Sequence, residues 1–210
     1  MTTSSKINTF KNASFGKDLH VLNDIHLNEI NIAIYQRTIE IPEEEIMYFL
    51  NQGLQLKAQG RPKNIIETFK SDFLEKGFSD SLLLRDCSNL LHFFEESSNA
   101  TEFRVLISSV ETDMCSRFHT DVNKLRLLCT YHGPATLWLP EAAEDRAAYH
   151  SGEENQKIIK NPALIQQAQT GEVLLLKGAL YPNAQAVMHR SPSIQKKGEK
   201  RLLLRIDLQK

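Results

Sequence analysis

The stretch of this chain best suited to chemistry is Phe118-His119-Thr120-Asp121. In an extended segment, residues two apart project to the same side. His119 and Asp121 would then offer one nitrogen and one oxygen to a single ion. About 0.3 such pairs are expected by chance from the His and Asp counts, so the pair needs context. Three further features follow it in order. Gly171 to Gly178 is a glycine-led apolar run, His189 ends another short apolar run, and Arg201 lies twelve residues beyond His189.

Each feature has a physical job. Two imidazoles and one carboxylate on one face of a metal leave adjacent positions open. That facial arrangement suits non-haem Fe(II), which can then take a bidentate ligand and O₂. A buried guanidinium can pair with a distal carboxylate in forked geometry.

The elements that must position these groups divide the chain near Ser97-Ser98-Asn99. Before it the periodicity is helical. Pro42 to Lys57 begins with a proline suited to a first turn and with Glu43, Glu44 and Glu45 at the positive end of the helix dipole. A second helix runs from about Asn64 to Lys76 and stops at Gly77. A third lies between Asp80 and Glu96, with Cys87 on its apolar stripe as a buried thiol and His92 on its solvated side.

After the division the pattern alternates. Strands are expected over Glu102–Val110, Leu125–Tyr131, Thr136–Leu139, Val173–Leu176, Ala186–His189 and Leu202–Leu208. Most are separated by turns rather than crossover helices, which favours an antiparallel sandwich or barrel. Glu141 to Ala168 is a long polar insertion with one or two short helices, the second opening at Asn161-Pro162 and reaching about Gln169. Such an insertion could close over a site. In the last strand Leu202, Leu204, Ile206 and Leu208 form a core face. Arg201, Leu203, Arg205 and Asp207 form the other, which must line something polar.

HxD, a Gly-led apolar strand, His and then Arg resembles the order found in the Fe(II)/2-oxoglutarate-dependent dioxygenase superfamily. The resemblance covers residues 102–208. Within it, Arg126 to Pro134 and His189-Arg190-Ser191-Pro192 resemble a narrower group of bacterial proteins that carry a domain-of-unknown-function label. The resemblance implies an α+β fold, a double-stranded β-helix (jelly roll) with an N-terminal helical layer on one sheet. It makes His119, Asp121 and His189 the iron ligands and Arg201 the anchor of 2-oxoglutarate. The keto acid would chelate iron, and its oxidative decarboxylation would drive oxidation of a small-molecule or peptide substrate. One departure stands out. Many members carry Ser or Thr two residues after the arginine, where this chain has Leu203. Arg205, with the same facing, is therefore a second candidate anchor, and Ser191 or Tyr131 could supply the hydroxyl.

Two other readings stay open. One is a non-catalytic metal-binding jelly roll with zinc or iron in the same triad. The other is a separate zinc site at Cys115, His119, Cys129 and His132, whose Cys-x₃-His and Cys-x₂-His spacings zinc accepts. Strand alternation opposes the latter, because Cys129 shares a face with Leu127 and Tyr131 while His132 points the other way.

Global properties set the remaining bounds. With 210 residues, 41% hydrophobic, the chain can bury one core: a flexible arm over residues 1–18, then a single domain over 19–210. A net charge of −1 gives no electrostatic case for nucleic acid or an anionic membrane. Met1 to Phe10 lacks the apolar segment of a secretory signal, and three irregularly spaced cysteines make no disulfide framework. A cytoplasmic protein is expected. Asp24-Ile25-His26, the reverse pair, has no comparable context and reads as surface chemistry.

Overall fold

The computed structural model describes residues 10–209. Among the described residues, ten strands form two sheets. The large sheet has seven strands in the order β1-β2-β8-β5-β10-β4-β3. These are β1 (Ala13–Gly16), β2 (Ile32–Tyr35), β3 (Gln55–Gly60), β4 (Phe103–Val110), β5 (Leu125–His132), β8 (Val173–Lys177) and β10 (Arg201–Leu208). All neighbours are antiparallel except β1 and β2. The small sheet has the order β7-β6-β9, from Gln166–Gln167, Leu137–Trp138 and His189–Arg190.

Alternation sends each strand's two faces to different cores. Leu202, Leu204 and Ile206 of β10 join Leu127, Cys129 and Tyr131 of β5 and Val173 and Leu175 of β8 in the core under the helices. Leu203, Leu128, Leu174 and Leu176 point the other way, into a core shared with Trp138, Ala135 and Val187 between the sheets. The expected leucine face of the last strand is therefore in place. Burial of such side chains stabilises by about 1.5–3 kcal/mol each, which makes strand register unambiguous.

The helices α1 (Glu43–Asn51), α2 (Pro62–Glu75) and α3 (Leu82–Ser98) cover the outer face. Ser81 caps α3 by accepting from the Leu84 amide at 2.9 Å. Buried Glu45 accepts from Ser81 Oγ and from the Leu83 amide at 3.1 Å. Glu45 thus serves the positive end of α3 as well as lying in the first turn of α1. Cys87 is buried, and His92 is solvated.

Three expectations need correction. The helix expected to reach Lys57 ends at Asn51, because Gly53 takes a left-handed conformation at φ 60° and Gln55 onward alternates as β3. The helix expected at Asn161-Pro162 is a single 3₁₀ turn, Pro162–Leu164, followed by β7. Of the arm expected over residues 1–18, residues 1–9 lie outside the described residues, and Ala13–Gly16 form a strand with Ala13 fully buried. The rest of the insertion forms two short helices, α4 (Arg146–His150) and α5 (Asn155–Ile158). Among the described residues, no helix is long and apolar enough to cross a membrane.

Candidate metal centre

His119 and His189 face each other across an antiparallel bridge, although 70 residues separate them. The His119 amide donates to the His189 carbonyl at 3.0 Å, and the His189 amide donates back at 2.9 Å. A hydrogen-bonded pair of this kind puts both side chains on one face. The imidazole centroids lie 4.6 Å apart. Asp121, two residues on, reaches the same place. Its Oδ2 is 3.4 Å from His189 Nε2, and its Oδ1 is 3.8 Å from His119 Nε2. One ligand atom from each of the three lies within 4.8 Å of the others, and no other such cluster occurs among the described residues.

The surroundings fit a metal ion. His119 Nδ1 lies 3.0 Å from the Arg117 carbonyl and His189 Nδ1 lies 3.5 Å from that of Val187. A carbonyl only accepts, so the 3.0 Å contact favours the proton on Nδ1 of His119 with its Nε2 lone pair toward the centre, and the longer contact at His189 is compatible with the same tautomer. Burial lowers His189 to about 4, against an upward pull from Asp121, so the imidazole is neutral at pH 7, as a ligand must be. Asp121 Oδ2 is buried and has no hydrogen-bond partner among the described residues. A bare buried carboxylate oxygen costs free energy unless something satisfies it, and a cation between it and two imidazoles does so.

Asp121 Oδ1 is held differently. Arg126 Nη1 donates to it, and the same guanidinium grips Asp207 through Nε at 2.6 Å and Nη2 at 3.2 Å. Asn123 Nδ2 donates to Asp207 at 3.0 Å, and Arg205 Nε lies 3.2 Å from its other oxygen. Asp207 is buried and Arg126 largely so. The loop carrying the ligands is fixed from below by the end of β8. The amides of Ala179 and Leu180 donate to the carbonyls of Asp121 and Asn123 at 2.8 and 2.9 Å. Gly178 has no side chain because a methyl there would overlap Asn123 and come 2.9 Å from the Asp121 carbonyl oxygen.

The insertion grips the same loop from above. Tyr149 Oη lies 3.1 Å from both the amide and the hydroxyl of Thr120, the residue between His119 and Asp121. Arg117 donates to the Glu153 carbonyl at 3.0 Å, and Asn155 accepts from the Phe118 amide at 2.8 Å.

Arg201 lies on the same inner face as Asp207 and is almost fully buried. Burial lowers its guanidinium to about 10. Nη2 donates to Thr130 Oγ1 at 3.2 Å, while Nε and Nη1 have no partner among the described residues. The hydroxyl beside the arginine is thus that of Thr130, from the neighbouring strand. Tyr131 is ruled out for that role, since its hydroxyl donates to Asp86 at 2.7 Å on the opposite face of β5. Arg205 sits apart, partly exposed and paired with Asp207.

The separate zinc site is not assembled. Cys129 is buried under the helices, 3.6 Å from Arg37 Nη2, whereas Cys115 is exposed. Asp24 and His26 go to Ser14, Tyr181 and Ser97, and take no part in the centre. Arg126 and Thr130 lie in the Arg126 to Pro134 stretch and Asp207 on the polar face of the last strand, but no motif gives them, or Tyr149, a place in the site. The available signal was Asp207, a carboxylate on the inward face of a strand, which requires a buried cation.

Comparison with known proteins comes to bear on this geometry. The family model described as "Protein of unknown function (DUF1826)" matches residues 16–207. No curated protein matches the chain. Among solved structures, the Arabidopsis thaliana dioxygenase for auxin oxidation 1, as its 2-oxoglutarate complex, is similar at 14% identity and a TM-score of 0.43, over 73% of this chain and 61% of that one. The chain therefore spans less than two thirds of that enzyme's length. A Pseudomonas putida prolyl-4-hydroxylase is similar at 8% identity and 0.43, over 90% and 97%. A full-length Neurospora crassa protein in complex with alpha-KG is similar at 10% identity and 0.40, over 84% and 73%. Likenesses at these scores are distant.

Proposed function

The chain belongs to the DUF1826 family of proteins of unknown function, and from that premise we propose that it is a non-haem Fe(II)- and 2-oxoglutarate-dependent oxygenase. The observation that carries the reading is the convergence of His119, Asp121 and His189, with the bare buried Oδ2 of Asp121 3.4 Å from His189 Nε2 and its Oδ1 3.8 Å from His119 Nε2. On this reading the two sheets are the halves of a double-stranded β-helix with the centre between them.

Three protein ligands on one side of an ion leave the other side free, which suits Fe(II) better than a closed structural zinc site. When bound, iron with 2-oxoglutarate supplies the O₂-dependent oxidation. The chain's own residues do the rest. Arg201 meets the co-substrate's far carboxylate with Nε and Nη1, the two nitrogens that lack partners. Thr130 fixes the guanidinium from the side. Thr130 stands four residues from Arg126 along β5, about 13 Å, so anchor and ligand clamp share one strand face at separate depths. Leu128 and Leu203 line the face between them, which keeps that region dry and strengthens the charge pairing. Arg205 is the lesser candidate, because Asp207 already engages it.

Anaerobic titration tests the reading. Fe(II) plus 2-oxoglutarate should give a weak visible charge-transfer band, and exposure to O₂ should yield succinate. Tight zinc retention with neither band nor succinate would favour a non-catalytic metal protein instead.

A further inference from the structure

We propose that the open cavity at the β3–β4–β10 end of the large sheet is an oxyanion site that holds the carboxylate or phosphate of a small anionic substrate. As a statement about substrate this rests on the oxygenase reading; as a statement about an anion site it stands alone.

The large sheet is wider than its cover. The core between the sheets draws on β1, β2, β5, β8 and β10, and no residue of β3 or β4 contributes to it. Ser108 and Val110 of β4 are buried on that inner face, but its far half, with Lys57, Gln59 and Arg104, is left open and is basic. Register places Lys57 of β3 and Arg205 of β10 on either side of Leu106 of β4. One step along, Arg104 stands between Gln59 and Asp207. Strands lie about 4.8 Å apart, so Lys57 and Arg205 start about 10 Å from each other with Arg104 beside both.

Lys57, Gln59, Arg104, Leu106 and Arg205 line a cavity of about 300 Å³, and no carboxylate lines it. Lys57 and Arg104 make no ion pair among the described residues. A single lysine on an edge strand needs no ligand to explain it, since it blocks sheet-to-sheet pairing. Lys57 and Arg104 converge beside Arg205 without an ion pair of their own among the described residues, and Asp207 balances only Arg205 and Arg126, so the concavity keeps a positive charge that an anion would join. Two guanidinium forks and an ammonium match a carboxylate or phosphate. The cavity volume fits a small molecule rather than a polymer.

A chain of ion pairs links the cavity's rim to the candidate metal centre. Arg205 shares Asp207 with Arg126, and Arg126 holds Asp121. A substrate anchored on Arg205 therefore sits one carboxylate and one guanidinium away from a metal ligand.

The test titrates metal-free protein with inorganic phosphate at low ionic strength, against sodium chloride of matched ionic strength. The parent, the Lys57→Ala/Arg104→Ala double variant and Arg201→Ala are compared, and Mn(II) binding is measured on each. Phosphate should bind the parent, the double variant should lose at least about tenfold in affinity at the cavity, and Arg201→Ala should keep the binding that depends on Lys57 and Arg104. Mn(II) affinity should not change in the double variant. Equal phosphate affinity in the double variant, loss only in Arg201→Ala, or no binding beyond the chloride control would overturn the site. A single-stranded oligonucleotide binding far more tightly than phosphate would overturn the small-molecule occupant. Phosphate binding at the cavity in a chain that takes no Mn(II) would leave the anion site standing and remove the oxygenase reading.

Discussion

Arg126 donates to Asp121 Oδ1 and leaves Oδ2 bare toward His189. The same guanidinium is locked on its far side by Asp207. This link makes the orientation of Asp121, a proposed metal ligand, depend on an ion pair buried at the end of β10. Arg126→Gln should lower Mn(II) affinity by about 10–100-fold, in the range of lost support to a ligating group. It should also destabilise the fold by about 3 kcal/mol, because Asp207 is left buried without its main partner. Urea unfolding with Mn(II) titration checks both. An unchanged Mn(II) affinity would show that Asp121 is positioned without Arg126.

Gly178 touches no ligand side chain, yet it packs against the loop that bears Asp121. Gly178→Ala should push that loop outward. Metal affinity should fall by about tenfold or more while the helical layer keeps its far-ultraviolet circular dichroism, since displacements of about 0.5 Å are enough to spoil a site. A variant with parental affinity would show that the loop can give way freely.

Arg201 has two buried donors without partners, so its removal should be felt by the co-substrate and not by the metal. Arg201→Ala should weaken 2-oxoglutarate binding, read from the charge-transfer band, by about 10–100-fold with Mn(II) affinity unchanged. Arg201→Lys should recover only part of it, because an ammonium cannot reproduce the fork. If Arg205→Ala produces the larger loss of the band, the anchor is misassigned.

The thiols follow from burial. Cys87 and Cys129 are buried and pushed up, Cys129 to about 12, whereas Cys115 is exposed. A raised thiol pKa means that almost no thiolate exists at pH 8, so these two react slowly. One of the chain's three cysteines should react quickly with a thiol reagent at pH 8, and all three after unfolding. Zinc carried by Cys115 and Cys129 would instead protect Cys115 until the metal is removed.

Much of this centre was legible in the residues. His119 and Asp121 were readable as a pair because period-two facing in an extended segment is a local rule. The polar face of β10 was readable for the same reason, and it holds Arg201 and Asp207 as alternation requires. The bridge between His119 and His189 is a long-range register, which no local pattern fixes. Arg126 is visible only as the start of the Arg126 to Pro134 stretch, because its partners are Asp121 in the preceding loop and Asp207, opposite it on β10. With Leu203 two residues after the arginine, the chain's own pattern offers Ser191 or Tyr131 as the hydroxyl, whereas the one beside Arg201 lies across the sheet at Thr130. β3 was hidden because Leu54 and Leu56 are both buried and extend the apolar pattern of α1 past Gly53.

The most direct test is Mn(II) titration of the metal-free protein followed by electron paramagnetic resonance, on the parent and on Asp121→Ala and His189→Ala. The triad predicts one ion per parent chain and a loss of about 100-fold or more in each variant, with Arg126 and Asp207 still paired and the fold intact. A parent chain that binds no ion, or an Asp121→Ala variant that binds as tightly as the parent, would contradict it.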